Sequence, residues 1–157
     1  MLFRSSYLSR NSNPRIVAFL IAHPELIHIA EFAMNANDDA VSWVIQNAID
    51  RAIDYIFRNT TSTAAIRCQI KIAGKVQEWH SRLLSTAGSS TNDLLIEWFL
   101  SEIDKQYSQT SAFAQFFVPP ELLSNPHPRA VDWLFAHITS VDVDHSHYLC
   151  QIGRAHV

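Results

Sequence analysis

Apolar side chains recur along this chain at helical intervals, and nowhere do they alternate as a half-buried strand requires. Val41, Val44, Ile45, Ala48, Ile49, Ala52, Ile53, Ile56 and Phe57 follow one another in steps that return to one helix face. This is the strongest stripe in the chain, and it fits either one long helix or two with a break near Asn47. Val17, Leu20 and Ile21 predict a shorter helix before it. Asn13-Pro14 opens that helix, because Asn caps free N–H groups and Pro needs no N–H in the first turn. His23-Pro24 closes it, since the residue before Pro is held out of the helical region. Pro24 then starts a second helix through Leu26, Ile27, Ile29 and Phe32. Beyond the loop at Asn59 to Thr63, one helix is predicted from Ala64 to Leu84. Ser85 to Thr91 is a second loop. Further helices open at Asn92-Asp93 and at His127-Pro128, and another begins between Val141 and Cys150. A short aromatic segment, Phe113 to Phe117, stops at Pro119-Pro120.

Several of these helix starts are related. Asn11-Ser12-Asn13-Pro14-Arg15-Ile16-Val17-Ala18-Phe19-Leu20 aligns with Asn35-Ala36-Asn37-Asp38-Asp39-Ala40-Val41-Ser42-Trp43-Val44 and with Asn125-Pro126-His127-Pro128-Arg129-Ala130-Val131-Asp132-Trp133-Leu134. Thr91 to Phe99 is a weaker copy. In each, Val or Ile lies four residues after the cap and an aromatic residue six after it. One such unit cannot bury its apolar face alone, so units stack. The alignment predicts that Val17, Val41, Ile96 and Val131 are buried at equivalent places. It puts Phe19, Trp43, Trp98 and Trp133 near the seams between units. The fold class expected is all-α: one domain over residues 1–150, built as an irregular α-solenoid-like array of helix pairs.

The stretch Asn13 to Ile27, with His23-Pro24-Glu25-Leu26-Ile27 at its end, resembles the unnamed short helical repeats of giant-virus and environmental proteins. Their pattern is Asn-Pro-x-x-x-Val-x-Trp/Phe-Leu. The resemblance covers about half the chain. It departs at Leu26, where those repeats carry Lys, and in the middle copies, which lose the Asn-Pro start. It implies stacked helices and protein binding, and it brings no catalytic residues with it.

Composition narrows the function classes. With 48% hydrophobic and 17% charged residues the chain is globular in character, and its three glycines are few for a sheet-rich domain. The formal charge is −3. Its basic residues form no stripe, so neither a nucleic-acid surface nor an anionic membrane is an expected partner. No run reaches the roughly 18 apolar residues of a membrane span. Cys68 and Cys150 are expected to be reduced thiols of an intracellular, cytoplasmic protein.

Candidate chemistry is sparse. Asp142-Val143-Asp144-His145-Ser146-His147-Tyr148-Leu149-Cys150 contains ligand types, and His145, His147 and Cys150 could meet one metal ion. The competing reading, a solvated helix start in which Asp is the cap, weighs more, so no metal and no cofactor are expected. His23 and His137 share a repeat position at helix ends, where a donor satisfies terminal carbonyls. Glu102 and Asp104 lie two apart on a helix and cannot face each other for acid–base work. Trp43, Trp98 and Trp133 are the candidates for a binding surface. The chain therefore reads as a non-enzymatic helical repeat scaffold for protein–protein binding. The alternatives are a small helical metal-binding or hydrolytic domain built on Asp142 to Cys150, and a purely structural helical region of a larger protein. Residues 151–157 stand apart. Ile152-Gly153-Arg154-Ala155-His156-Val157 resembles the translated start of a widely used sequencing adapter, so native sequence is expected to stop at about Cys150 and the repeat domain to be truncated there.

Overall fold

A computed structural model describes residues 2–109 and 119–138. Its regular elements there are α1 (Leu2–Arg10), α2 (Pro14–Ala22), a one-turn 3₁₀ helix (Pro24–Leu26), α3 (Ile29–Ala33), α4 (Asp38–Asn47), α5 (Ile49–Arg58), α6 (Thr63–Ala73), α7 (Gln77–Ala87), α8 (Asp93–Gln109), α9 (Pro120–Leu123) and α10 (Pro128–Ile138). No strand occurs among the described residues. The protein is all-α. Its described residues divide into two compact units, 2–83 (unit 1) and, from 84 onwards, 84–109 with 119–138 (unit 2).

The helix boundaries decide one open reading and differ from the sequence pattern in two places. The long stripe is two helices, separated at Ala48, whose φ of −149° leaves the helical region. Asn47 closes α4 by donating from Nδ2 to the Trp43 carbonyl (2.8 Å). The helix expected over residues 64–84 is also two, broken at Gly74-Lys75-Val76, where Gly weakens the helix. The helix expected from Pro24 onwards is one 3₁₀ turn followed by α3, because Ile27 and His28 are extended. One element, α1, has no apolar stripe of its own in the pattern above.

Five residues cap the first helix of a repeat copy, at the same repeat position: α2, α4 and α6 in unit 1, and α8 and α10 in unit 2. The side chains of Asn13, Asn37, Ser62 and Asn92 accept from the N–H groups of Arg15, Asp39, Ala65 and Leu94, and His127 Nδ1 accepts from Arg129 N–H. Counted from these caps, the seventh position is always buried: Leu20, Val44, Gln69, Phe99 and Leu134. The fourth position holds Val17, Val41, Ile66 and Ile96, all buried, and Val131, which is half-buried. Positions four and seven share a helix face, and each fully buried aliphatic there contributes about 1.5–3 kcal/mol. In unit 1 the first helices pack in series, α2 on α4 and α4 on α6, and the second helices pack likewise, α1 on α3 and α3 on α5.

Within each unit, buried asparagines tie one repeat copy to the copy before it. Asn35 Nδ2 donates to the carbonyls of Ser9 (2.8 Å) and Asn11 (3.1 Å). Asn59 Nδ2 donates to those of Ala33 and Asn35, both at 2.9 Å. In unit 2, Asn125 Nδ2 donates to Gly88 (2.7 Å) and Ser90 (2.9 Å). Each of these asparagines also accepts at Oδ1 from the N–H two residues on, at Asn37, Thr61 and His127. Every rung thus bridges two carbonyls two residues apart in the preceding copy. The rungs at Asn35 and Asn59 follow Asn11 at intervals of 24 residues. Gln69, nearly fully buried where the other copies have an apolar residue, donates to the carbonyls of Ile56 (2.6 Å) and Asn59 (2.8 Å). It takes from within its own pair the Asn59 carbonyl that a further rung would use.

Candidate binding grooves

Successive first helices leave a groove between them in each unit, at the same place in the repeat. In unit 1, α2 supplies Val17, Ala18 and Ile21 to a groove of about 380 Å³, and α4 supplies Asp39, Ser42, Trp43 and Gln46. In unit 2, α8 supplies Glu97, Leu100 and Asp104 to a groove of about 670 Å³, and α10 supplies Arg129, Asp132, Trp133 and Ala136. Counted from the caps, Ala18 corresponds to Glu97 and Ile21 to Leu100. Asp39 corresponds to Arg129, Ser42 to Asp132, Trp43 to Trp133 and Gln46 to Ala136. Volumes of this size suit a peptide side chain or a small molecule.

The two tryptophans are held differently. Trp43 is half-buried, edge-on to Phe32 with ring centres 6.1 Å apart, and its indole N–H makes no hydrogen bond among the described residues. Trp133 is 7% exposed; its Nε1–H donates to Asp104 (2.8 Å), and its ring stacks on His137 at 3.9 Å. Trp98 is half-buried on α8 and lines neither groove. Phe19, at the same repeat position, is 46% exposed and stacks on His23. The aromatic position therefore lies on the flank of the first helix, about 200° round from the cap-side turn that the buried Val begins.

The histidines that share a repeat position are structural. His23 Nδ1 lies 2.9 Å from the Phe19 carbonyl and His137 Nδ1 lies 2.8 Å from the Trp133 carbonyl. A carbonyl can only accept, so both rings carry their proton at Nδ1. Asn47 does the same work at the same position in α4. The carboxylates also have separate partners: Glu97 pairs with Arg129 (3.0 Å), Glu102 with Lys105 (3.0 Å), and Asp104 with Trp133.

Elsewhere, Asp38 accepts from the Ser62 hydroxyl (2.7 Å) and from the Ala64 N–H (3.2 Å), which holds its carboxyl below the usual range. Arg10 does the same for Glu31 by a hydrogen-bonded ion pair. Burial pushes the Cys68 thiol up, away from the reactive thiolate. Among the described residues no group of three or more His, Cys, Asp or Glu is placed to hold a metal ion. His145, His147 and Cys150 lie outside the described residues, as do the expected helix within 141–150 and the tail 151–157. Within the described residues no helix is long and apolar enough to cross a membrane.

Sequence reasoning missed the asparagine rungs. The signal was present: Asn11, Asn35 and Asn125 each stand two residues before a cap in the aligned copies. The copy at Asn59 escaped alignment because one extra residue precedes its cap, Ser62, and because Cys68 replaces the aromatic. No protein-family model, no curated protein and no solved structure matches this chain.

Proposed function

We propose that this protein is a non-enzymatic helical repeat scaffold that binds another protein in the grooves between its first helices. The observation that carries the reading is the recurrence of one groove in both units. In both units a tryptophan and polar groups of the later helix face the earlier one across the groove; in unit 1 the facing wall of Val17, Ala18 and Ile21 is apolar, and in unit 2 it is mostly polar. Aromatic anchors in shallow grooves are what protein-binding surfaces concentrate. The buried rungs keep the helices that form each groove at fixed separation, so a ligand meets a preformed site. Resemblance to short tandem helical repeats points the same way.

The reading is tested by selecting peptides from a random displayed library on the folded protein. Selected peptides are expected to lose binding to Ser42→Arg or Ala136→Arg, which fill the two grooves from positions outside the core. Thermal midpoints should stay unchanged. Selected peptides that bind both variants as well as the parent would place the binding surface elsewhere and overturn it.

A further inference from the structure

The two grooves differ in one respect that names the chemistry of a partner. In unit 2 the groove closes its own charge pair: Glu97 on α8 meets Arg129 on α10 at 3.0 Å. Unit 1 has neither member of that pair at its place, and carries a lone carboxylate instead. Asp39 stands where Arg129 does, and Ala18 stands where Glu97 does. Asp39 is the sole charged residue lining the α2–α4 groove, is exposed, and has no cationic partner among the described residues. Arg15, its counterpart on α2, does not line the groove.

We infer that the α2–α4 groove takes a cationic side chain, arginine or lysine, from an extended segment of a partner protein. The inference rests on the scaffold reading above and adds the partner's charge to it. Asp39 and Trp43 lie four apart on α4 and so face the same side. A guanidinium entering there pairs with the carboxylate and lies against the indole, whose face attracts cations. Its aliphatic stem, and an apolar neighbour on the peptide, meet Val17, Ala18 and Ile21 on the opposite wall. In unit 2 the cation beside the tryptophan position is the chain's own: Arg129, four residues before Trp133, is bound to Glu97. The partner would supply in unit 1, with the polarity reversed, a carboxylate–cation pair of the kind that unit 2 forms by itself.

The test uses the full chain and three short capped peptides: leucine-arginine-leucine, its citrulline isostere, and leucine-glutamate-leucine. Binding is read from the indole N–H resonance of Trp43, assigned with Trp43→Phe. The arginine peptide is expected to shift that resonance and to bind at least fivefold more tightly than the citrulline peptide, with the difference shrinking in high salt. Asp39→Asn should remove the preference for arginine. Ala18→Glu should strengthen it, and Ala18→Glu with Asp39→Arg, which builds the closed pair of unit 2, should abolish binding. Equal binding of the arginine and citrulline peptides would overturn the cationic partner and leave the groove standing. If no peptide, including any selected from a library, moves the Trp43 resonance, the groove reading fails as well.

Discussion

A ladder asparagine uses nearly all of its hydrogen-bonding capacity at once. Asn59 donates to two buried carbonyls and accepts from the N–H groups of Thr61 and Ser62. Buried acceptors deprived of a donor cost about 1–3 kcal/mol each. Asn59→Ala is therefore expected to lose on the order of 3 kcal/mol in urea denaturation, against about 1 kcal/mol for Asn13→Ala, which removes only a helix cap. Comparable losses for the two would show that the rung is no more than a cap. Asp38 makes a second prediction. Its carboxyl is depressed chiefly by the Ser62 hydroxyl and then by the Ala64 N–H. A group lowered in the folded state stabilises the fold above its unfolded pKa, about 4. That contribution disappears as pH falls through the lower folded-state value. The thermal midpoint of Asp38→Asn should thus lie below the parent's at pH 7 and converge with it well below pH 4. A gap that persists unchanged in acid would assign the effect to packing.

Helix ends in this protein are set by side chains more than by propensity, and this decides what was legible. The caps at Asn13, Asn37, Asn92 and His127 were readable, since Asn, Pro and Asp announce a helix start, and the buried positions followed from them. The break near Asn47 was legible only as one of two options, and the break at Gly74-Lys75-Val76 was not legible. The apolar period continues through Ala48 and through Val76, and only Asn47 Nδ2 turning back onto the Trp43 carbonyl shows where α4 stops. For the grooves, the tryptophans were legible as one repeat position, but their walls come from neighbouring helices that no local pattern joins. The loop after α7 shows the same dependence on tertiary contact. A Cβ on Gly88 would stand 2.8 Å from the Phe99 ring and 3.1 Å from the Glu121 Cβ. Gly88→Ala must displace the Phe99 ring and crowd Glu121 on α9, and overpacking of this kind costs about 1–3 kcal/mol. Denaturation of that variant checks it; a neutral or stabilising result would mean that Phe99 swings clear at little cost.

Two hydrogen-bonded ladders organise the molecule as a whole, one through Asn11, Asn35 and Asn59 and one joining Asn125 to Gly88 and Ser90, and each lies within one compact unit. The interruption coincides with Gln69. Its side chain occupies a position that is apolar in the other copies and binds the Asn59 carbonyl that a following rung would take. Replacing it separates two opposed effects. Gln69→Leu restores the apolar position, which favours packing, but strips a donor from the Ile56 and Asn59 carbonyls. Ile56 keeps the Asn59 N–H as a partner, whereas the Asn59 carbonyl keeps none among the described residues. An orphaned buried acceptor outweighs a modest apolar gain, so a net loss of about 1–3 kcal/mol is expected. In unit 1 the helices pack in series, each on its neighbours, so damage should remain local. Amide exchange should quicken in α5 and α6 while α8 and α10 keep their protection. Equal loss of protection in α8 and α10 would mean that the two ladders share one cooperative unit, and Gln69 would then be an ordinary core residue instead of the point where one ladder ends.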